Sequence, residues 1–299
     1  MTAKNKKSIA LVLSSGGSKG LAQIGVINEL EREGFEITSI SGSSIGSVIG
    51  GLYAMGKLKE YTDWVKTLDR RAVWGLLDFT VSKSGLLKGE KVFEKMKTFI
   101  PDVPIEDMNI PFSAVAADIL NEKEVVFTSG SYYDAVRASI SIPDIFTPVK
   151  YEDTILVDGG VLAPVPIEFV ERHENDIVVV VNLYGDGNEA VSTPVKHEQS
   201  EKSVNILQSL RKLISSGDKR DIGFFTLFDV TTKAMIHRIA KQSIAYHKPE
   251  IVINIPSNSA STFDFHKADE LIEIGENAAR KSIDKYFKDN RYYFERRSS

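Results

Sequence analysis

Cysteine is absent from this chain of 299 residues. Its absence excludes disulfides, thiolate metal sites and a cysteine nucleophile together. A surplus of basic charge is also lacking, because the net charge is −4 and the basic residues are scattered along the sequence. Nucleic-acid binding, which needs a positive patch to neutralise phosphates, is therefore not expected. A chain without cysteine suits a reducing compartment, and we expect a cytoplasmic protein.

Long apolar runs are lacking as well. Lys4, Lys6 and Lys7 precede an apolar run at residues 9–13, but five residues are too few for a secretory signal. Residues 37–56 are uncharged over 20 positions, yet they hold six Ser/Thr and five Gly. A membrane-spanning helix of that length would be predominantly apolar. We expect no transmembrane segment and, at most, peripheral contact with a membrane.

Short apolar runs alternate with helical patterns in the first 56 residues. Residues 8–13 and 35–40 predict buried strands, and residues 21–30 and 45–54 predict helices. This order implies right-handed crossovers and a mainly parallel sheet, in a three-layer α/β/α sandwich. Further strands are predicted at 112–117, 124–128, 155–157, 177–183 and 250–255, and further helices at 204–214, 227–247 and 267–287.

The chain divides into three parts by composition. Residues 8–183 are expected to form the main α/β domain, and residues 184–202, rich in Gly, Glu, Ser and Asn, an exposed connection. Residues 203–299 are expected to be mainly helical, with one late strand that packs on the same domain.

A GxSxG sequence runs from Gly42 through Ser43, Ser44 and Ile45 to Gly46, between a predicted strand and a predicted helix. A sharp strand-to-helix turn pushes the central hydroxyl out above the sheet, and the flanking glycines allow packing that a Cβ would obstruct. This spacing makes Ser44 the candidate nucleophile, at a helix N-terminus that favours developing negative charge. The plain alternative is that Ser43 or Ser44 caps the helix with its side chain.

A second glycine-rich turn, Gly16 to Gly20, ends the first predicted strand. Free N–H groups in such a turn can bind an oxyanion or a phosphate, and the plain alternative is a tight turn. The turn fails as a dinucleotide fingerprint because Ser15 replaces the first glycine of GxGxxG. A P-loop-like match at residues 51–58 fails because Leu58 replaces the hydroxyl that would hold magnesium. We expect no metal and no cofactor.

Asp158, Gly159 and Gly160 follow the predicted strand at 155–157. A carboxylate at a strand end suits a site along that sheet edge, although Asp-Gly-Gly alone is more often a turn. Histidine is the usual base for a serine nucleophile, but no histidine stands in a local motif, and a Ser–Asp–His triad stays open. The histidines are His173, His197, His237, His247 and His266.

These motifs, in this order, resemble the patatin-like phospholipase family, and the chain is similar to its compact bacterial intracellular members. The resemblance covers residues 8–183 strongly and the C-terminal third weakly. Beyond the three glycine motifs it extends to segments at 116–118, 137–143 and 146–149, and more weakly to 263–265 and 270–275.

The resemblance implies a patatin-like fold and a lipid acyl hydrolase, of phospholipase A or carboxylesterase type, that works through an acyl-enzyme. Ser44 would be the nucleophile and Asp158 its base, with no catalytic histidine. The oxyanion hole would consist of backbone N–H groups of Gly16, Gly17 and Ser18 or Lys19. The remaining family glycines are Gly20, Gly42, Gly46, Gly159 and Gly160.

Three residues depart from the family pattern. Ser14 and Ser15 replace the more usual acidic or glycine residues before the oxyanion turn, so the shape of that turn is expected to differ. Asp144 stands where glycine is more common and is expected to alter a wall of the acyl pocket. An ordinary pKa near ~4 would leave Asp158 a weak base, so the oxyanion donors would carry much of the barrier lowering.

Two other functions stay open, an α/β-hydrolase-type esterase with a Ser–Asp–His triad and a non-catalytic membrane-binding or partner-binding relative. The expected partner is a lipid or acyl-ester substrate, and the sequence does not determine the oligomeric state. The apolar stretch at 222–228 predicts either a membrane-facing flap or, more often by base rates, a core element. A second apolar candidate surface consists of Trp64, Trp74, Leu76, Leu77 and Phe79.

Overall fold

The computed structural model describes residues 7–78, 87–186 and 224–297. Eight strands of this part form one sheet: β1 (Lys7–Leu13), β2 (Phe35–Ser43), β3 (Phe112–Asp118), β4 (Lys123–Phe127), β5 (Val149–Tyr151), β6 (Thr154–Asp158), β7 (Ile177–Gly185) and β8 (Ile251–Pro256). They lie in the order β5-β6-β3-β2-β1-β7-β8, and β4 also pairs with β3. The neighbours β3–β2, β2–β1, β1–β7 and β7–β8 pair in parallel. β4 and β6 pair antiparallel with β3, and β5 pairs antiparallel with β6.

The described helices are α1 (Leu21–Arg32), α2 (Ile45–Ala54), α3 (Leu58–Val65), α4 (Arg70–Leu76), α5 (Glu90–Lys97), α6 (Tyr132–Ser139), α7 (Phe224–His247) and α8 (Ala268–Arg297). Short 3₁₀ turns follow β1 at Gly17–Gly20 and β6 at Gly159–Val161. No helix in the described ranges combines the length and the apolar character that crossing a membrane requires.

The central strand β1 is buried on both faces of the sheet. Ile9, Leu11 and Leu13 belong to the large core formed with α1, α2 and α8. Ala10 and Val12 belong to a smaller core on the opposite face, to which α7 contributes. Side chains alternate between faces along a strand, so a continuous apolar run packs against helices on both sides. The predicted three-layer α/β/α sandwich is confirmed.

The late strand and the last helix complete the same sheet and core. β8 pairs in parallel with β7, and α8 crosses α1 very closely. A Cβ built on Gly275 would lie 1.9 Å from the carbonyl oxygen of Ala22, and one on Gly25 would lie 1.9 Å from that of Ile272. Only glycines allow this approach of the two backbones, and it packs α8 directly against α1.

Sequence patterns located most elements of the sheet and missed several short ones. β2 runs three residues beyond its predicted end and reaches Ser43, while β5, α3 and α6 had no predicted counterpart. The helix predicted at 204–214, most of the connection predicted at 184–202, and Phe79 and His197 lie outside the described residues.

Candidate active site

Ser44 lies at the sharp turn between β2 and α2. Its backbone has φ +55° and ψ −125°, a conformation that residues other than glycine rarely adopt. A Cβ on Gly42 would lie 2.3 Å from the carbonyl oxygen of Gly46, and a Cβ on Gly46 would lie 2.2 Å from that of Leu13. The two glycines therefore permit the turn that holds the Ser44 side chain above the sheet edge.

The Ser44 hydroxyl is hydrogen-bonded directly to a carboxylate. Its Oγ donates to Oδ2 of Asp158 at 2.5 Å, and the other oxygen of Asp158 accepts the N–H of Gly160 at 2.7 Å. Both side chains are buried. Ser44 makes no side-chain capping bond to α2, and the buried Oγ of Ser43 has no partner in the described structure. The capping alternative is therefore wrong for both serines.

Burial changes the acid–base character of Asp158. Removing the carboxylate from water raises its pKa to about 7, although the hydrogen bonds from Ser44 and Gly160 act in the opposite direction. The expectation of an ordinary pKa near ~4 is thus wrong. A carboxylate that titrates near neutral pH is a considerably better proton acceptor for an alcohol.

The turn after β1 provides unpaired backbone donors beside Ser44. Among the described residues, the N–H groups of Gly16 and Gly17 have no hydrogen-bond acceptor, and Gly17 lines the same groove as Ser44. The N–H of Ser18, by contrast, donates to the carbonyl oxygen of Thr262 at 3.0 Å. An oxyanion could use the Ser18 donor only by displacing that bond.

The side chain of Lys19 anchors this turn to β7. Its Nζ donates to the carbonyl oxygen of Leu183 at 2.9 Å, and burial, together with the charge of Lys233, lowers its pKa to about 8. The two serines that depart from the family pattern have related roles. Ser14 Oγ accepts the N–H of Leu183 at 2.9 Å, and Ser15 Oγ lies 2.5 Å from the hydroxyl of Tyr184. Both therefore fix the oxyanion turn to the end of β7.

Ser139, at the end of α6, is a site residue that motif reasoning did not single out. Its Oγ accepts the N–H of Ser44 at 2.9 Å and donates to the carbonyl oxygen of Val115 at 2.6 Å. The N–H of the candidate nucleophile is thus occupied and is not free to bind an oxyanion. The sequence signal that could have identified Ser139 is the segment 137–143, which contains it and resembles the corresponding family segment.

An apolar groove leads away from Ser44 and encloses about 940 Å³, counting its open mouth. Its walls come from α3, α4, α5 and the segments after β8 and α6. Ile142 and Phe146 line it, whereas Asp144 does not; Asp144 adopts φ +65°, a backbone conformation that favours glycine. Asp144 is thus not itself a wall residue, and its effect on the wall through its neighbours Ile142 and Phe146 stays a prediction. The groove thus places an apolar surface, of the kind that can hold an acyl chain, next to the Ser44 hydroxyl.

No hydrogen bond joins any of the four described histidines to Ser44 or Asp158. His173 lies 3.9 Å from a carboxylate oxygen of Glu171 at the surface, and His266 accepts from Arg70. The remaining two stack on or lie against tyrosines: His237 on Tyr184, and His247 on Tyr246.

The two apolar candidate surfaces differ in their relation to the groove. Trp64, Leu76 and Leu77 line it, while Trp74 points away from it and is 62% exposed. At the start of α7, Leu227 is 55% and Phe228 is 46% exposed. The preference for a core element is therefore wrong at these two positions; the side chains of residues 222–226 lie outside the described structure.

No cluster of three or more His, Cys, Asp or Glu side chains able to hold a metal ion occurs in the ranges that the structure describes.

Comparisons with known proteins give a family and several relatives. A family model described as patatin-like phospholipase matches residues 11–170. An uncharacterized NTE family protein of Mycobacterium bovis is 29% identical over 93% of this chain and 92% of its own length. A lysophospholipase of Scheffersomyces stipitis is 24% identical over 96% of this chain, which spans only 18% of that protein. The crystal structure of VipD from Legionella pneumophila superposes with a TM-score of 0.49 and 15% identity, over 95% of this chain and 68% of that chain.

Proposed function

The chain belongs to the patatin-like phospholipase family and is a carboxylic ester hydrolase, and we propose that it cleaves fatty-acyl esters of lipids with Ser44 and Asp158 as a catalytic dyad. The observation that carries this proposal is the 2.5 Å hydrogen bond from Ser44 Oγ to a buried carboxylate with a pKa of about 7. Because the hydroxyl bonds the carboxylate directly, the carboxylate is itself the group that receives the serine proton.

In the first half-reaction, Ser44 Oγ attacks the acyl carbonyl carbon while its proton passes to Oδ2 of Asp158. The tetrahedral intermediate collapses as Asp158 returns that proton to the leaving alcohol, and the acyl group stays on Ser44. In the second half-reaction, water attacks the acyl-enzyme, Asp158 takes a proton from it, and the fatty acid leaves as Ser44 is reprotonated. The same carboxylate acts as base and then as acid in each half.

The negative charge of both tetrahedral intermediates falls on the former carbonyl oxygen. The unpaired N–H groups of Gly16 and Gly17 are the donors that the geometry makes available to it. One such donor typically contributes ~10²–10³ in rate. The bond from Lys19 to the carbonyl oxygen of Leu183 holds the turn, so these donors are positioned before the substrate binds.

The apolar groove supports a lipid as the acyl donor. It begins at Ser44, is lined almost wholly by aliphatic and aromatic side chains, and suits one extended acyl chain whose carbonyl lies at the hydroxyl. The name of the relative in Scheffersomyces stipitis makes a lysophospholipid, which has a single acyl chain, the first substrate to test.

Hydrolysis products from mixed phospholipids and lysophospholipids, measured by mass spectrometry, test this proposal. We expect fatty acid release by the unchanged protein and none by Ser44→Ala or Asp158→Asn. Release of the same products by folded Ser44→Ala would contradict the dyad. A folded, unchanged protein that releases no fatty acid from any of these lipids would favour a non-catalytic relative.

A further inference from the structure

α4 separates the apolar groove from solvent with a wall only one helix thick. On its inner side Val73 and Leu76 line the groove. On its outer side Trp74 is 62% exposed, and Arg71 beside it is exposed as well. An exposed tryptophan next to an exposed arginine is the combination found where proteins contact the interfacial region of a bilayer.

The charge of the chain is distributed unevenly about this helix. Residues 57–97, which hold α3, α4 and α5, contain ten basic and six acidic side chains, whereas the rest of the chain contains 27 basic and 35 acidic ones. The described residues of this segment, 57–78 and 87–97, hold nine of these basic side chains and all six acidic ones, so the described part beside the groove is net positive in a protein that is net negative. Such polarity favours approach to an anionic surface with the groove side first.

A second exposed apolar surface lies at Leu227, Phe228 and Met235 on α7. No described side chain of α7 lines the groove, because α7 packs on the opposite face of the sheet from α1 and α2. A lipid bound there would still have to travel to Ser44. The α4 surface, in contrast, lies on the helix whose inner side lines the groove that begins at the hydroxyl.

We propose that the outer side of α4, with Trp74 and Arg71, docks on a membrane surface that carries anionic head groups. Trp74 then lies at head-group depth, Arg71 faces the anionic lipids, and only α4 separates the groove from the bilayer. This inference deepens the proposed function, on which it rests for the identity of the substrate.

Vesicle binding tests the docking surface separately from catalysis. The Ser44→Ala protein, which leaves the vesicles intact, is sedimented with vesicles of phosphatidylcholine alone or of phosphatidylcholine and phosphatidylglycerol in equal parts. We expect tighter binding to the anionic vesicles, weakened by salt. Adding Arg71→Ala should weaken that binding about fivefold, the equivalent of ~1 kcal/mol for one basic residue near the surface. Adding Trp74→Ala should weaken it about tenfold.

Matched controls lie on other surfaces of the protein. Met235→Ala removes a side chain that is 61% exposed on α7, and Lys123→Ala removes an exposed charge on β4. We expect neither change to alter vesicle binding. In a protein that retains Ser44, Trp74→Ala should slow hydrolysis of vesicle lipid and leave hydrolysis of a short, water-soluble ester unchanged.

Equal vesicle binding with and without Trp74, or binding indifferent to phosphatidylglycerol, would overturn the docking surface. The same holds if Trp74→Ala altered only the oligomeric state, since Trp74 would then contact a second copy of the chain. These results leave the catalytic proposal intact, because its own tests, hydrolysis of a soluble ester by the unchanged protein and its loss in Ser44→Ala, do not depend on vesicle binding.

Discussion

The hydroxyl of Ser139 holds the backbone N–H of Ser44 at 2.9 Å, and a second bond at 2.6 Å ties the same hydroxyl to the carbonyl oxygen of Val115. One buried side chain thus connects α6, β3 and the strained residue at the start of α2. A φ of +55° at Ser44 persists only where the surroundings hold it in place. Ser139 is a positioning residue, since it acts on Ser44 and not on the substrate.

Ser139→Ala should lower kcat about tenfold to a hundredfold with little change in KM. The substitution leaves the buried N–H of Ser44 without an acceptor, which costs ~1–3 kcal/mol and loosens the turn. Ser113→Ala is the matched control, because its buried hydroxyl likewise bonds a carbonyl oxygen, that of Phe169 at 2.9 Å. We expect the control to lose stability but not kcat. Equal kcat for the two variants, from steady-state kinetics on a soluble ester, would contradict the positioning role.

Ser44→Ala should abolish labelling by a fluorophosphonate probe, whereas Ser43→Ala should retain it. The two serines are adjacent in sequence, but only Ser44 bonds the carboxylate, and the Oγ of Ser43 is buried without a described partner. Gel fluorescence of the labelled proteins measures the difference. Labelling that persisted in Ser44→Ala and vanished in Ser43→Ala would reverse the assignment.

The sequence predicted what depends on local pattern. Alternating apolar runs located seven of the eight strands, and glycine spacing singled out Ser44 over Ser43. The short β5 and α6 were missed, because three residues of strand and two helical turns carry too little periodicity to be recognised.

Properties that depend on contacts between distant parts of the chain were not available from the sequence. The pKa of Asp158 is set by burial, which no local pattern around residues 158–160 indicates. The same reason applies to the Ser18 N–H, whose acceptor, Thr262, lies more than two hundred residues away in the chain. Ser139 required the spatial neighbourhood of Ser44, 95 residues earlier in the chain.

The pH dependence of kcat/KM should report the ionisation of Asp158. The carboxylate must be deprotonated to accept the Ser44 proton, and its pKa is raised to about 7. We therefore expect kcat/KM to fall about tenfold per pH unit below that pKa and to level off above it. Initial rates on a soluble ester give the profile without interference from the charge of vesicles. An inflection near ~4, the ordinary aspartate pKa, would mean that burial does not tune this base.

None of the five single His→Ala substitutions should lower kcat/KM by more than about tenfold, equivalent to ~1.4 kcal/mol in the transition state. The Ser44 hydroxyl donates directly to Asp158, so the position that a triad histidine would occupy between the two side chains is already taken by their own hydrogen bond. His237→Ala is the most demanding case, because His237 stacks on Tyr184, which bonds Ser15 of the oxyanion turn. A histidine that proved indispensable in a folded variant would replace the dyad with a triad.

Asp158→Asn should leave the protein folded and nearly inactive, and its effect on stability should depend on pH. The folded-state pKa of Asp158 is about 7, against 3.8 as the ordinary value, so the folded state binds more protons than the unfolded state between these two values. The contribution of Asp158 to the free energy of unfolding therefore falls as pH rises through this window, by an amount on the order of 4 kcal/mol at most. Asparagine cannot ionise, so the melting temperature of Asp158→Asn, relative to that of the unchanged protein, should rise steadily from pH 4 to pH 8 and then level off.

Because every other titrating group is common to both proteins, the difference in melting temperature isolates this carboxylate. A difference in melting temperature that did not vary with pH would show that Asp158 is ionised in the folded protein throughout the range, and that its burial carries no electrostatic cost.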